Sequence, residues 1–209
     1  MATTTPLPTP SPRLDHGAQR RPALRWPLAL CAWSLLYVLP HLYWALGGDE
    51  LLFMLKQSAA EMDDWRAINW AASAVLMGAA LIGPALVWLT ARPRLRAVTL
   101  ATCVAGAAVA GSHGAFGIIY RTFNVAGVID IDGTSFDESR HEWALWDLLV
   151  FEPWFLIEGV LFMTAGHVVG EVLGGAAALR TAQARRRWTA GCLAAIGIAT
   201  LTGLLGLRV

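Results

Sequence analysis

Five apolar runs, at roughly 26–46, 67–91, 97–120, 143–169 and 188–207, dominate the chain of 209 residues. Each supplies about the 20 residues that an α-helix, rising 1.5 Å per residue, needs to cross ~30 Å of hydrocarbon. Lipid offers no partner to a bare backbone amide, so such runs resolve as helices and not as open strands. Composition agrees: 56% of the residues are apolar and 15% are charged, where a soluble domain carries about 25% charged residues. The charge is too sparse to dress a water-facing surface. The expected fold is therefore all-α, a polytopic bundle of five transmembrane helices within residues 23–209. Residues 1–22, rich in Pro, Thr, Ser and Arg, lack apolar periodicity and are expected to form a disordered cytoplasmic tail. The first run is too long for a signal peptide, has no small-residue cleavage pattern and precedes four more spans.

Charge orders the ends of these spans. Arg13, Arg20, Arg21 and Arg25 precede the first, Arg92, Arg94 and Arg96 separate the second from the third, and Arg180, Arg185, Arg186 and Arg187 separate the fourth from the fifth. The alternate connections are acidic, with Asp49, Glu50, Glu61, Asp63 and Asp64 in one and Asp130, Asp132, Asp137, Glu138 and Glu142 in the other. The positive-inside rule then predicts a cell-membrane protein with a cytoplasmic N-terminus and an extracytoplasmic C-terminus. Within the first acidic connection, Leu51–Leu55 are expected to lie along the membrane surface. A net charge of +1 argues against a nucleic-acid partner. Cys31, Cys103 and Cys192 are scattered without a CxxC pair or metal-ligand spacing, so neither a disulfide framework nor a metal or other cofactor is expected.

Ionisable groups inside spans are costly and need a partner, a cavity or an interface. His41, Asn69, His113 and Asp147 come from four different spans, yet all fall within roughly 10 Å of the outer boundary at helical rise. Glu152 and Glu158 lie deeper in the fourth span. On a regular helix Trp143, Asp147, Trp154 and Glu158 share one face, whereas Glu152 lies about 140° from Asp147. Pro153 removes a backbone hydrogen bond beside them and bends the helix. Trp33, Tyr37 and Trp44 follow at helical steps in the first span, with His41 on the same side. Gly106, Ala110, Gly111, Gly114 and Gly117 give the third span a face along which another helix can approach closely.

Each residue also has a plainer role. Trp44, Trp65, Trp70, Trp143 and Trp146 suit the headgroup region simply as interfacial indoles. Trp33 and Trp154 suit core packing, and His41 a hydrogen bond to a backbone carbonyl. Asp147 and Glu152 suit counter-charges to Arg121 or Arg140. Glu158, with no basic residue in easy reach, is expected to be a neutral carboxyl, and His167 with Glu171 a surface pair one turn apart.

The runs HLYWALGG (His41–Gly48), SHGAFGIIYR (Ser112–Arg121) and WDLLVFEPWFLIEG (Trp146–Gly159) resemble a group of small actinobacterial integral membrane proteins of unassigned function. That resemblance implies a shared multi-span fold and no particular chemistry.

Three classes of function remain. A buried carboxylic acid can protonate an alkene while indole faces stabilise the cation, the logic of intramembrane isomerases and terpene cyclases. Asp147 or Glu158 would then be the acid and His113 or His41 the base or its orienter, with Glu152 a further member of the catalytic set. Trp33, Tyr37, Trp44, Asn69, Trp143 and Trp154 would bind an isoprenoid or other lipid substrate arriving from the bilayer. Alternatively, the polar layer passes protons or a small solute, or His41 and His113 ligate a haem. In the third class the protein is an accessory membrane component whose polar layer locks helix packing.

Overall fold

The computed structural model describes residues 16–48, 63–89, 92–129, 138–173 and 182–205. Every regular element among them is helical: α1 (His16–Ala45), α2 (Asp63–Leu89), α3 (Arg96–Val125), α4 (Glu138–Trp146), α5 (Glu152–Leu173) and α6 (Ala182–Leu204). A π turn, Asp147–Phe151, joins α4 to α5, and a short 3₁₀ turn, Pro93–Leu95, precedes α3. Helix α1 starts inside the segment expected to be a tail; residues 1–15 lie outside the described residues, as does the expected interfacial stretch Leu51–Leu55.

Four stretches are long and apolar enough to cross a bilayer: Leu24–Ala45, Trp65–Leu89, Arg96–Val125 and His141–Glu171. Helix α6 forms where a fifth span is expected, but its first turns carry Arg185, Arg186 and Arg187, and it does not meet the same measure. Leu36, Leu39, Val75, Leu81, Val109, Leu149 and Ile198 stand exposed on the flanks. So much apolar surface is untenable in water and ordinary in lipid. These four helices are compatible with an integral membrane protein.

Packing places α5 at the centre. Helix α1 lies against α2 on one side and α5 on the other, and α3 lies against α5 and α6, giving the lateral order α2, α1, α5, α3, α6. The seam between α3 and α5 is close because both helices offer glycine there. A Cβ on Gly159 would sit 2.8 Å from the Gly111 Cα, and one on Gly114 would press on the backbone of Glu152 and Leu156. Deeper down, Leu30, Leu86, Cys103, Ala107, Leu161, Phe162, Ala165 and Val169 form the main apolar core.

Two glycines end helices at the side expected to be extracytoplasmic. Gly47 (φ 95°) follows α1 and Gly127 (φ 70°) follows α3. In each case the next residue donates its amide to a carbonyl five back: Gly48 to Tyr43 at 3.0 Å and Val128 to Phe123 at 2.9 Å. This left-handed cap satisfies carbonyls that the helix end would leave bare.

Gly159→Leu tests the seam. Forcing a side chain between α3 and α5 is expected to cost about 1–3 kcal/mol, as overpacking generally does, seen as a lower thermal unfolding midpoint in detergent. Gly78→Leu, where an added Cβ meets nothing within 4 Å, should leave the midpoint nearly unchanged.

Candidate functional site

Many of the polar side chains in the spans are spoken for within their own helix. Thr99, Thr102, Thr122, Thr164, Thr200 and Thr202 each donate to the carbonyl four residues back, at 2.6–3.0 Å. Such back-bonded hydroxyls satisfy themselves and carry no site. Apart from Trp188, which donates its indole N–H to the Met163 carbonyl at 2.9 Å, Arg66, which donates to the Ala45 carbonyl at 3.3 Å, and a pair at the far end of the bundle, the ones that reach between helices fall into two clusters, one on each side of α5.

The first cluster lies between α3 and α5. The Arg121 Nε–H donates to the Asp147 carboxylate at 2.5 Å, a pair whose side chains are 21% and 14% exposed. Helix α3 continues to Val125, so Arg121 belongs to the helix and not to a loop. Four and eight residues earlier on the same stripe stand Gly117 and His113. An added Cβ on Gly117 would overlap the Glu152 carboxyl, so the missing side chain makes the room that the carboxyl occupies. The Glu152 Oε2 is buried and has no hydrogen-bond partner. The His113 Nε2 lies 3.9 Å from it, too far for a hydrogen bond. The imidazole is 57% exposed on the flank of the bundle, with the Phe155 ring against it at 4.2 Å between centroids.

The π turn sets this geometry. The Glu152 amide bonds to the Asp147 carbonyl, five residues back, which inserts one residue relative to an α-helix. The expectation that Trp143, Asp147, Trp154 and Glu158 share a face is therefore corrected. Asp147 and Glu152 both turn to α3, whereas Trp154 and Glu158 turn to α1. Pro153, which lacks an amide hydrogen, sits two residues past the end of the turn, where a regular ladder is interrupted anyway. Trp143 packs on Phe151 at 5.4 Å, within neither cluster.

The second cluster lies on the α1 side of α5. Trp33 stacks on Trp154 at 4.0 Å between centroids and Tyr37 stacks on it at 5.1 Å, both at interplanar angles near 20°. The Trp33 indole N–H donates to the Trp154 carbonyl at 3.2 Å, and the Trp154 Nε1 is buried without a partner. One turn deeper, the Ser34 hydroxyl hydrogen-bonds the Glu158 carboxyl at 2.5 Å; Ser34 is 0% and Glu158 2% exposed. Nearer the outer end, Asn69 donates its amide to the Trp65 carbonyl at 2.8 Å, which leaves its oxygen facing the His41 Nδ1 at 2.8 Å. Only a donor can answer that oxygen, so His41 carries its proton on Nδ1 and presents Nε2 as an acceptor. Trp44 stands edge-on to His41 at 5.7 Å and tilted to Trp65 at 6.0 Å.

Of the four residues expected in one layer, His41 meets Asn69 and Asp147 meets Arg121, while His113 lies beside Glu152 and Phe155. A single pocket does not form among the described residues: Tyr37, Trp154 and Phe155 fill the space between the clusters, Phe155 touching Tyr37 at 5.3 Å on one side and His113 on the other. His41 and His113 therefore do not face a common space, which removes the geometry that a bis-histidine haem requires. At the other end of the bundle His167 and Glu171 approach to 3.5 Å, with Arg185 4.0 Å from the same carboxylate, the surface pair expected there. Among the described residues no group of His, Cys, Asp and Glu could hold a metal ion.

Residues 22–162 match a family described as a protein of unknown function, DUF3995. The chain belongs to the DUF3995 family. No curated protein and no solved structure matches it. The DUF3995 match begins within the second turn of α1 and ends within α5, so both polar clusters lie within it and α6 lies beyond it.

Asp147→Asn leaves the Arg121 guanidinium without its counter-charge. Removing one partner of a buried pair costs about 3 kcal/mol, expected as a marked fall in unfolding midpoint. Converting both residues, as in Arg121→Met with Asp147→Leu, should recover much of that loss in a double-mutant cycle.

Proposed function

We propose that this membrane protein is an intramembrane isomerase that moves a double bond in an isoprenoid or other lipid by proton transfer. The observation that carries the reading is the Glu152 carboxyl oxygen, buried without a partner, beside an imidazole that opens onto the apolar flank of the bundle. A buried acceptor or donor left unmade is costly, and functional sites are where such cost is retained.

In this mechanism the Glu152 carboxylic acid gives its proton to one alkene carbon, leaving a carboxylate and a tertiary carbocation. Neutral His113 takes a proton from the neighbouring carbon, so the double bond re-forms one position along. The imidazolium then returns its proton to the Glu152 carboxylate across the 3.9 Å gap. Atoms and charge balance with no co-reactant. Phe155, packed on His113, presents a ring to the cation. Asp147, bound to Arg121, is a positioning residue that holds the π turn against α3. The substrate reaches His113 sideways from the bilayer. Isomerisation is favoured over cyclisation because Trp33, Tyr37 and Trp154 stack on one another and leave no open cation-stabilising wall.

The test is isotopic. Cells producing the protein in D₂O should incorporate deuterium into one apolar metabolite, and Glu152→Gln and His113→Phe should each abolish that label while the protein still accumulates in the membrane. Unchanged labelling in both variants overturns the mechanism and favours the accessory role, in which Arg121–Asp147 only locks α3 to α5.

We further propose five spans, α6 being the last, with the N-terminus cytoplasmic. The arginines that flank α2–α3 and α6 support this arrangement under the positive-inside rule. A reporter active only outside the membrane, fused after Val209, should be active; a silent reporter there reverses the proposal.

A further inference from the structure

A second polar group, apart from the proposed acid–base pair, is built into the seam between α1 and α2. Trp65, Asn69 and Ser73 lie four residues apart on one stripe of α2. Asn69 is fully engaged by His41 and the Trp65 carbonyl. Its neighbours on the stripe are not: the Trp65 Nε1 and the Ser73 Oγ are buried without hydrogen-bond partners, and Ser73 is 6% exposed. In contrast to the threonines of the other helices, Ser73 does not bond back to its own backbone. His41, held by Asn69 through Nδ1, keeps a lone pair on Nε2. His41 and Trp65 both pack on Trp44, so the Nε2 edge of the imidazole and the unanswered indole donor border one aromatic ring near the outer end of the bundle.

From these residues we infer a binding site for an apolar molecule that ends in an alcohol hydroxyl. A hydroxyl is the small group that answers both needs at one atom: its oxygen accepts from the Trp65 indole N–H and its hydrogen goes to the His41 Nε2. A carboxylate or ether could accept from the indole but has nothing to give the imidazole. A cation has no acceptor for the indole. The Ser73 hydroxyl, deeper on the same stripe, extends the polar seam inward. The apolar remainder of the ligand lies along the lipid-facing residues of the two helices, where Leu39, Tyr43, Ile68 and Val75 are exposed. The hydroxyl has two sources in a membrane, a free long-chain or isoprenoid alcohol and the glycerol of a phospholipid headgroup.

The experiment uses the full chain in phosphatidylcholine nanodiscs with ¹⁵N-labelled tryptophan, the Trp65 indole resonance being assigned by its loss in Trp65→Phe. Titration with 1-dodecanol should shift that resonance downfield saturably. Dodecane should not shift it, and dodecyl methyl ether, which accepts but cannot donate, should bind about tenfold more weakly, as expected for one lost hydrogen bond. The same shift in phosphatidylglycerol nanodiscs without added alcohol would identify headgroup glycerol as the source. Glu152→Gln should bind dodecanol like the wild type, whatever becomes of the isomerase reading. Equal binding of alcohol, ether and alkane, or an indole resonance that a resident water already holds downfield and that alcohol does not move, overturns the site.

Discussion

The close contact between α3 and α5 is the constraint from which the rest of the bundle follows. Glycine on both helices lets the backbones meet at Gly111 and Gly159, and an approach that near leaves little room for side chains along the line of contact. The polar groups of α5 are therefore displaced to either side. Glu152 finds the space left by Gly117, and Asp147 meets the guanidinium that rises from the same stripe. The opposite side of α5 is left to α1, whose Trp33, Ser34 and Tyr37 receive Trp154 and Glu158. In lipid, where water cannot repair an unmet hydrogen bond, this partition decides which groups are quiet and which are poised.

The two carboxyls of α5 show how different such outcomes are. Glu158 has the Ser34 hydroxyl and a sealed surrounding, which makes it a packing element. Glu152 has space, a nearby imidazole and an oxygen with nothing to bond. Burial alone does not separate the two, since both are nearly inaccessible; the inventory of donors around each one does.

Much of this arrangement was legible in the chain. The positions of the four long apolar helices, the small-residue face of the third span and the possibility that Asp147 answers Arg121 all follow from periodicity, helical rise and charge. What escaped was angular. A helical wheel assumes one rotation per residue from end to end, and the π turn breaks that assumption between Asp147 and Glu152, so Asp147 and Glu158 were assigned one face and occupy two. Arg121 lies just past the apolar run at 97–120, although the helix continues through it to Val125. Ser34 and Ser73 were overlooked because a single hydroxyl in an apolar run usually bonds to its own helix; only the positions of neighbouring helices reveal the exceptions.

The π turn also divides the fourth span into two parts with separate bearings. The extra residue in Asp147–Phe151 means that the outer portion, α4, keeps its own azimuth while α5 keeps another. Winding the same five residues as a regular α-helix would swing everything upstream by about 100°, carrying Asp147 away from its guanidinium. The glycine seam and Glu152 would stay where they are. The winding of those five positions, and not only the side chains they carry, thus sets which neighbour Asp147 meets.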